Sequence, residues 1–376
     1  MVMIFLNDLA GVRGLPWWTY HLPAHVNGMT YVDMVFPFFL FIVGLSLPLA
    51  VNHRLSRRAS LGGLALHVLG RSMALVILGV ALANAEKIDP TLSHIGANLW
   101  LLLVLIGAIL FWNVYPRSSN KARLFLAMKT CGLVLMLAMF VLFRRVDKGG
   151  HVAWLDFSYW EILGLIGWTY LAVCILYIPT RRWRWAPVGW CVVFCALNTL
   201  TSAHLIHFTE RLPFYVWPWS SGCFCLICMA GAAVSTFVLS NIFATNMSRK
   251  ALISFSFAAI LFLFGFLLSP LGISKIRATP TWALYSAGAA TVFFLALYWI
   301  CDMRHKTQWA ALVRPAGANT LLTYLLPDIY FVTLGSIALP FQWETGWGGV
   351  IKSAVFTVLM LGLAALLTKA RVRLQV

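Results

Sequence analysis

Stretch after stretch of apolar residues, separated by short basic loops, leaves this chain one kind of solvent to fold in. Full spans are expected near residues 30–51, 63–84, 96–115, 122–143, 160–178, 184–203, 220–243, 251–270, 281–301, 317–338 and 346–368, and residues 1–12 read as the last half of another. A helix of about 20 apolar residues crosses the roughly 30 Å hydrocarbon core of a bilayer. Within that core only helices and closed barrels satisfy their own backbone polar groups. The 376 residues are 61% hydrophobic and 10% charged, against about 25% charged in a soluble domain. The expected fold is all-α, a polytopic integral membrane protein with about eleven full transmembrane helices and a partial first helix. No repeat, low-complexity stretch or linker divides it, so residues 1–376 are expected to form a single domain.

The formal net charge of +17 would suit nucleic acid, but its distribution excludes that partner. Lys and Arg sit in the short loops between spans, as the positive-inside rule produces. Arg54, Arg57 and Arg58, then Arg117, Lys121 and Arg123, then Arg181, Arg182 and Arg184 fall on one side, with the tail residues Lys369, Arg371 and Arg373. The alternate loops carry fewer, among them Arg13, Lys87, Arg211, Lys275 and Arg277. The richer side is expected to be cytoplasmic, the C-terminus with it, and the loop of His21 and His25 extracytoplasmic. Carboxylates are commoner on the outer side, which suits either a mouth for a cationic or polyol ligand or ordinary solvated loops. The eight cysteines lie in or at the ends of apolar segments without zinc-site spacing, so no metal is expected. Cys223, Cys225 and Cys228 read as small residues that let helices pack. His204, His207 and Glu210 have the spacing of weak metal ligands, which is common by chance.

The polar loop Trp17-Trp18-Thr19-Tyr20-His21 through His25 runs directly into the span that begins near Thr30. An imidazole is the side chain best tuned to take a proton near neutral pH, and either His21 or His25 fits that role. Trp18 offers a sugar platform or an interfacial anchor. Thr30 and Asp33 have the spacing of a helix capping box, and Asp33 is equally placed to orient a nearby histidine, as a carboxylate does for an imidazole base. Deeper in the spans stand Asp8, Arg71, Lys129, Asn319, Asp328 and Lys352. Intramembrane ionisable groups are functional candidates by default. Lys129 and Lys352 are near enough to span ends to snorkel.

The run from Asn27 to Ser46, NGMTYVDMVFPFFLFIVGLS, resembles the signature of the heparan-alpha-glucosaminide N-acetyltransferase family of transmembrane acyltransferases. Gly317-Ala-Asn319-Thr-Leu-Leu-Thr-Tyr324 is similar to that family's late G-x-N-[ST]-x-L-x-Y motif, and Trp282-Ala-Leu-Tyr285 to the helix start before it. The resemblance implies acetyl transfer from cytoplasmic acetyl-CoA to an extracytoplasmic acceptor, an amino sugar or a cell-envelope glycan. The family's histidine matches His21 better, with two residues inserted before Asn27; His25, the other candidate, lies closer to Asn27 than the family histidine usually does. On this reading His21, His25 and Asp33 are the catalytic candidates, Trp18, Asn27 and Asp328 bind the acceptor, and Arg54, Arg57, Arg71 and Asn319 meet the donor. The expected setting is the cytoplasmic membrane of a bacterium, with the lipid bilayer, acetyl-CoA and the sugar acceptor as partners and a homodimer left open. The family's R-x-x-S-x-D-x-x-R-G opening is missing, which implies a truncated N-terminus in a divergent branch. Two other readings stand beside this one: an ion-coupled transporter without acyl transfer, and an inactive truncated homologue.

Overall fold

The computed structural model describes residues 1–57, 60–116, 121–157, 161–207, 220–240, 246–335 and 343–375. Arg58, Arg117, Glu210 and Arg211 of the sequence reading lie outside the described residues. The principal helices are α1 (Val2–Leu9), α2 (Val35–Ser56), α3 (Leu61–Asn84), α4 (Ala97–Trp112), α5 (Ala122–Leu142), α6 (Ile162–Thr180), α7 (Ala186–Ser202), α8 (Cys223–Val238), α9 (Met247–Leu267), α10 (Pro280–Tyr298), α11 (Thr320–Leu334) and α12 (Gly346–Lys369). Seven helices among the described residues are long and apolar enough to cross a membrane. The protein is therefore an all-α polytopic membrane protein. α4, α7, α8 and α11 are also apolar but shorter; the 16 residues of α8 reach about 24 Å. The described strands are a two-residue antiparallel pair, Arg145–Val146 with Val152–Ala153.

The chain clusters into two compact units. One comprises Met1–Pro16, Ile77–Glu161 and Thr307–Val376, the other Trp17–Val76 and Ile162–Lys306. The second is built around α8, in which every residue from Cys223 to Val238 is buried. Its neighbours come so close because it presents small residues. A Cβ on Gly231 would stand 2.0 Å from the Phe41 carbonyl oxygen of α2, and one on Gly44 would stand 1.6 Å from the Cys228 carbonyl oxygen. Membrane helices gain no hydrophobic drive from meeting each other, so close backbone approach at small residues supplies the packing energy. Phe36 meets Phe224 edge-on at 5.2 Å between ring centres. Cys223, Cys225 and Cys228 are buried and unbridged, as small packing residues are.

The first unit uses the same device between α4 and α5. A Cβ on Gly107 would lie 2.8 Å from the Gly132 carbonyl oxygen. Trp100, seven residues earlier on α4, is fully buried and donates its indole N–H to the Met139 carbonyl of α5 at 2.7 Å. α1 is held to α12 by polar groups inside the unit. The Asp8 carboxylate accepts from Ser353 Oγ at 2.6 Å and pairs with Lys352 Nζ at 3.2 Å. Lys352, read from the sequence as a snorkelling residue, is thus an ion-pair partner, because α1 brings a carboxylate to it. Two loop acids are similarly occupied. Lys87 pairs with Asp156 at 2.7 Å, and Asp89 caps the short helix Pro90–Ser93.

Candidate active site

The segment that precedes α2 turns its polar groups onto one carboxylate. Tyr31–Met34 form a single 3₁₀ turn leading into α2, and Asp33 on that turn is only 2% exposed. Its Oδ2 accepts the Thr30 backbone N–H at 3.1 Å, which satisfies one of the donors every helix start leaves open. Its Oδ1 accepts from His21 Nδ1 at 2.7 Å. Thr30 Oγ1 donates to the Tyr20 carbonyl at 3.0 Å and so fastens the histidine-bearing loop to the same turn. The Asp33 carboxylate thus meets the helix start with one oxygen and His21 with the other.

An ionised carboxylate only accepts, so the short contact puts an imidazole proton on Nδ1, the tautomer in which a neutral ring carries its lone pair on Nε2. The His21 side chain is 44% exposed and that of Asp33 3%. The pair therefore presents a fixed, accessible base backed by a buried anion. This is the arrangement that general-base or nucleophilic histidine chemistry needs.

Two basic residues that the sequence reading counted only as loop charge stand beside the pair. Lys275 Nζ lies 3.4 Å from His21 Nδ1, and Arg277 donates through Nη2 to Asn27 Oδ1. Both stand on the short connection from α9 to α10. That connection is joined to the His21 segment by the Gly28 N–H donating to the Ile273 carbonyl at 2.9 Å. It is folded on itself by the Ser274 N–H donating to Thr279 Oγ1 at 3.0 Å. Gly272 has φ +85°, a backbone angle that favours glycine. Burial lowers the Lys275 ammonium from the ordinary lysine value, and the nearby Asp33 carboxylate opposes that shift. Two basic groups and one buried carboxylate thus stand beside the His21 ring. The sequence signal was a pair of basic residues two positions apart in one loop.

The other candidates are distributed as follows. His25 is exposed and takes no part in the hydrogen bonds around Asp33 described above. Trp18 is 51% exposed, its ring 6.0 Å from that of Tyr31. Arg54 and Arg57 stand at the exposed C-terminal end of α2. The Arg71 guanidinium lies over the Tyr170 ring, 5.2 Å from its centre. Asn319 and Asp328 belong to the first unit. The Asn319 amide donates to Thr368 Oγ1 at 3.0 Å and to the Val372 carbonyl at 2.8 Å, and its oxygen accepts the Leu374 N–H at 3.1 Å. These bonds tie down the C-terminal tail. Asp328 sits one turn beyond Tyr324, whose hydroxyl donates to Glu161 at 2.7 Å. His204 and His207 lie in the second unit. No group of three or more potential metal ligands occurs among the described residues.

These features define a polytopic membrane protein whose second helix opens on a hydrogen-bonded histidine–aspartate pair. Residues 1–226 match the family described as "Domain of unknown function (DUF5009)", and the chain belongs to that family. It is also 30% identical over 131 residues to the heparan-alpha-glucosaminide N-acetyltransferase of Mus musculus, covering 32% of this chain and 19% of that protein. It is 28% identical over 140 residues to the heparan-alpha-glucosaminide N-acetyltransferase of Homo sapiens, covering 34% of this chain and 20% of that protein. The chain spans about a fifth of the length of the curated relatives it matches. This weak similarity supports a related acyltransferase-like family.

Proposed function

We propose that this protein is a membrane-bound acyltransferase of the bacterial cytoplasmic membrane. It moves an acetyl group from cytoplasmic acetyl-CoA to an extracytoplasmic hydroxyl or amine, on an amino sugar or a cell-envelope glycan. The observation that carries the reading is the 2.7 Å contact between His21 and the buried Asp33, together with partial similarity to proteins named N-acetyltransferases. Residues 1–376 act as one acyltransferase-like domain on this reading.

His21 Nε2 takes the proton from the acceptor as its nitrogen or oxygen attacks the thioester carbonyl carbon. The C–S bond breaks, and the imidazolium returns the proton to the departing CoA thiolate. Asp33 keeps the ring in the Nδ1–H tautomer and stabilises the imidazolium that forms. The Lys275 and Arg277 cations suit a carbonyl oxygen that becomes negative in the transition state. Arg54, Arg57 and Arg71 supply positive charge for the donor's phosphates. Asn319 is omitted from the donor site because its amide is committed to the C-terminal tail.

Incubation of the purified protein with isotopically labelled acetyl-CoA and a panel of amino sugars is expected to yield labelled acetylated sugar, read by mass spectrometry. Unchanged acetyl-CoA and unlabelled acceptors across the panel would point to a carrier or a structural role instead. Asp33→Asn keeps a side-chain oxygen for the Thr30 N–H but loses the charge. It is expected to lower turnover by less than the loss of His21 does, with folded yield unchanged. Full turnover in that variant would leave Asp33 a helix cap only.

A further inference from the structure

The second unit contains a cavity at the ends of α2, α6 and α8 that the acyl-transfer reading leaves unused. Pro48, Asn52, Arg181, Trp183, Arg184 and Ser235 are among the residues that line it. Two arginines meet there, and no carboxylate is among its described lining residues. Ser235 is 2% exposed, and its Oγ has no hydrogen-bond partner. The hydroxyls beside it are used: Thr236 Oγ1 donates to the Ala232 carbonyl at 2.9 Å, and Ser240 donates to the Thr236 carbonyl. A buried hydroxyl without a partner is unfavourable, and native structures rarely leave one so. The cavity itself supplies the place for its partner.

We propose that this cavity is a binding subsite for a phosphate ester. Ser235 Oγ donates to one phosphate oxygen, and Arg181 and Arg184 neutralise the charge. The guanidinium fork matches phosphate geometry and is only weakly hydrated, which suits it to this task at a membrane surface. Arg181 is anchored by its Nη1, which donates to the Ile178 carbonyl at 2.6 Å, and the Arg184 guanidinium lies 5.9 Å from the centre of the Trp185 ring. The cavity volume is about 70 Å³, where a water needs roughly 10–15 Å³ by the same kind of measure. That admits one phosphate group and requires the rest of the ligand to lie outside. A phospholipid headgroup and the phosphate of a soluble nucleotide share this chemistry. The proposal does not rest on acyl transfer.

The test is native mass spectrometry of the full chain in neutral detergent, titrated separately with phosphatidylglycerol, phosphatidylcholine and adenosine 3′,5′-bisphosphate. Arg181→Gln/Arg184→Gln is expected to weaken binding by about tenfold or more, the scale of losing charge-assisted hydrogen bonds. Ser235→Ala, which changes only one oxygen atom, is expected to weaken it less. Arg249→Gln, at the start of α9, controls for overall charge. Phosphatidylglycerol retained over phosphatidylcholine, and lost in the variants, identifies a lipid as the source. Loss of the bisphosphate alone identifies a soluble ligand. Binding of all three probes unchanged by Ser235→Ala and by the double variant, or no binding of either phosphatidylglycerol or the bisphosphate, overturns the proposal. If the double variant does not fold, Ser235→Ala decides alone.

Discussion

Replacing His21 by alanine is expected to lower acetyl transfer by about 10² to 10⁴, the usual scale of losing a general base, and more if the histidine carries the acyl group itself. The folded protein is expected to survive. The side chain is 44% exposed, so its loss opens no buried cavity. Asp33 keeps its bond to the Thr30 N–H, and Lys275 remains close enough to offset its charge. The measurement is turnover of labelled acetyl-CoA beside a melting temperature for each variant. Near-normal turnover in His21→Ala would refute the assignment. His25→Ala is expected to be close to wild type, because Asp33 holds His21. A dead His25→Ala with an active His21→Ala would mean that the observed pair is not the base.

Gly44→Ala is expected to be the most damaging single substitution for folding. The added methyl carbon would sit 1.6 Å from the Cys228 carbonyl oxygen. Ordinary overpacking costs about 1–3 kcal/mol because side chains shift to make room. Here the obstacle is backbone, so α2 and α8 must separate. That separation would also undo the reciprocal contact of Gly231 with Phe41. Gly362→Ala is the control, since a Cβ there meets nothing within 4 Å, and alanine is favoured over glycine in a helix by up to about 1 kcal/mol. Monodisperse yield after detergent extraction and melting temperature read both variants. Equal behaviour of the two would show that α2 and α8 do not depend on this approach.

The helices were legible in the sequence because length and hydropathy are local properties. The expected 122–143 is α5 at Ala122–Leu142, and 63–84 ends where α3 ends, at Asn84. Burial was not legible. α8 is wholly enclosed while α5 buries few residues, yet both are apolar throughout, because bilayer and protein interior ask the same composition of a helix. The division into two units was hidden for the same reason, since one unit is assembled from three separated segments without any change of composition at their borders. In the site, His21 and Asp33 could be read together because twelve residues separate them. Lys275 and Arg277 could not, since about 250 residues intervene and only the fold brings their loop to the Asn27 segment.

Asp33 answers to two selections at once. One oxygen is needed for α2 to begin, the other for His21 to point. On the proposed reading, a copy of this gene released from its chemistry would be free to change the histidine, which is half in solvent, but would still need a side-chain oxygen at position 33, from aspartate or asparagine, to cap the helix start. Drift would therefore erase His21 first and keep the Thr30–Asp33 spacing. If His21 is the base proposed above, a capping oxygen at position 33 reports only an intact fold, and the histidine is the residue whose presence separates working copies from retired ones.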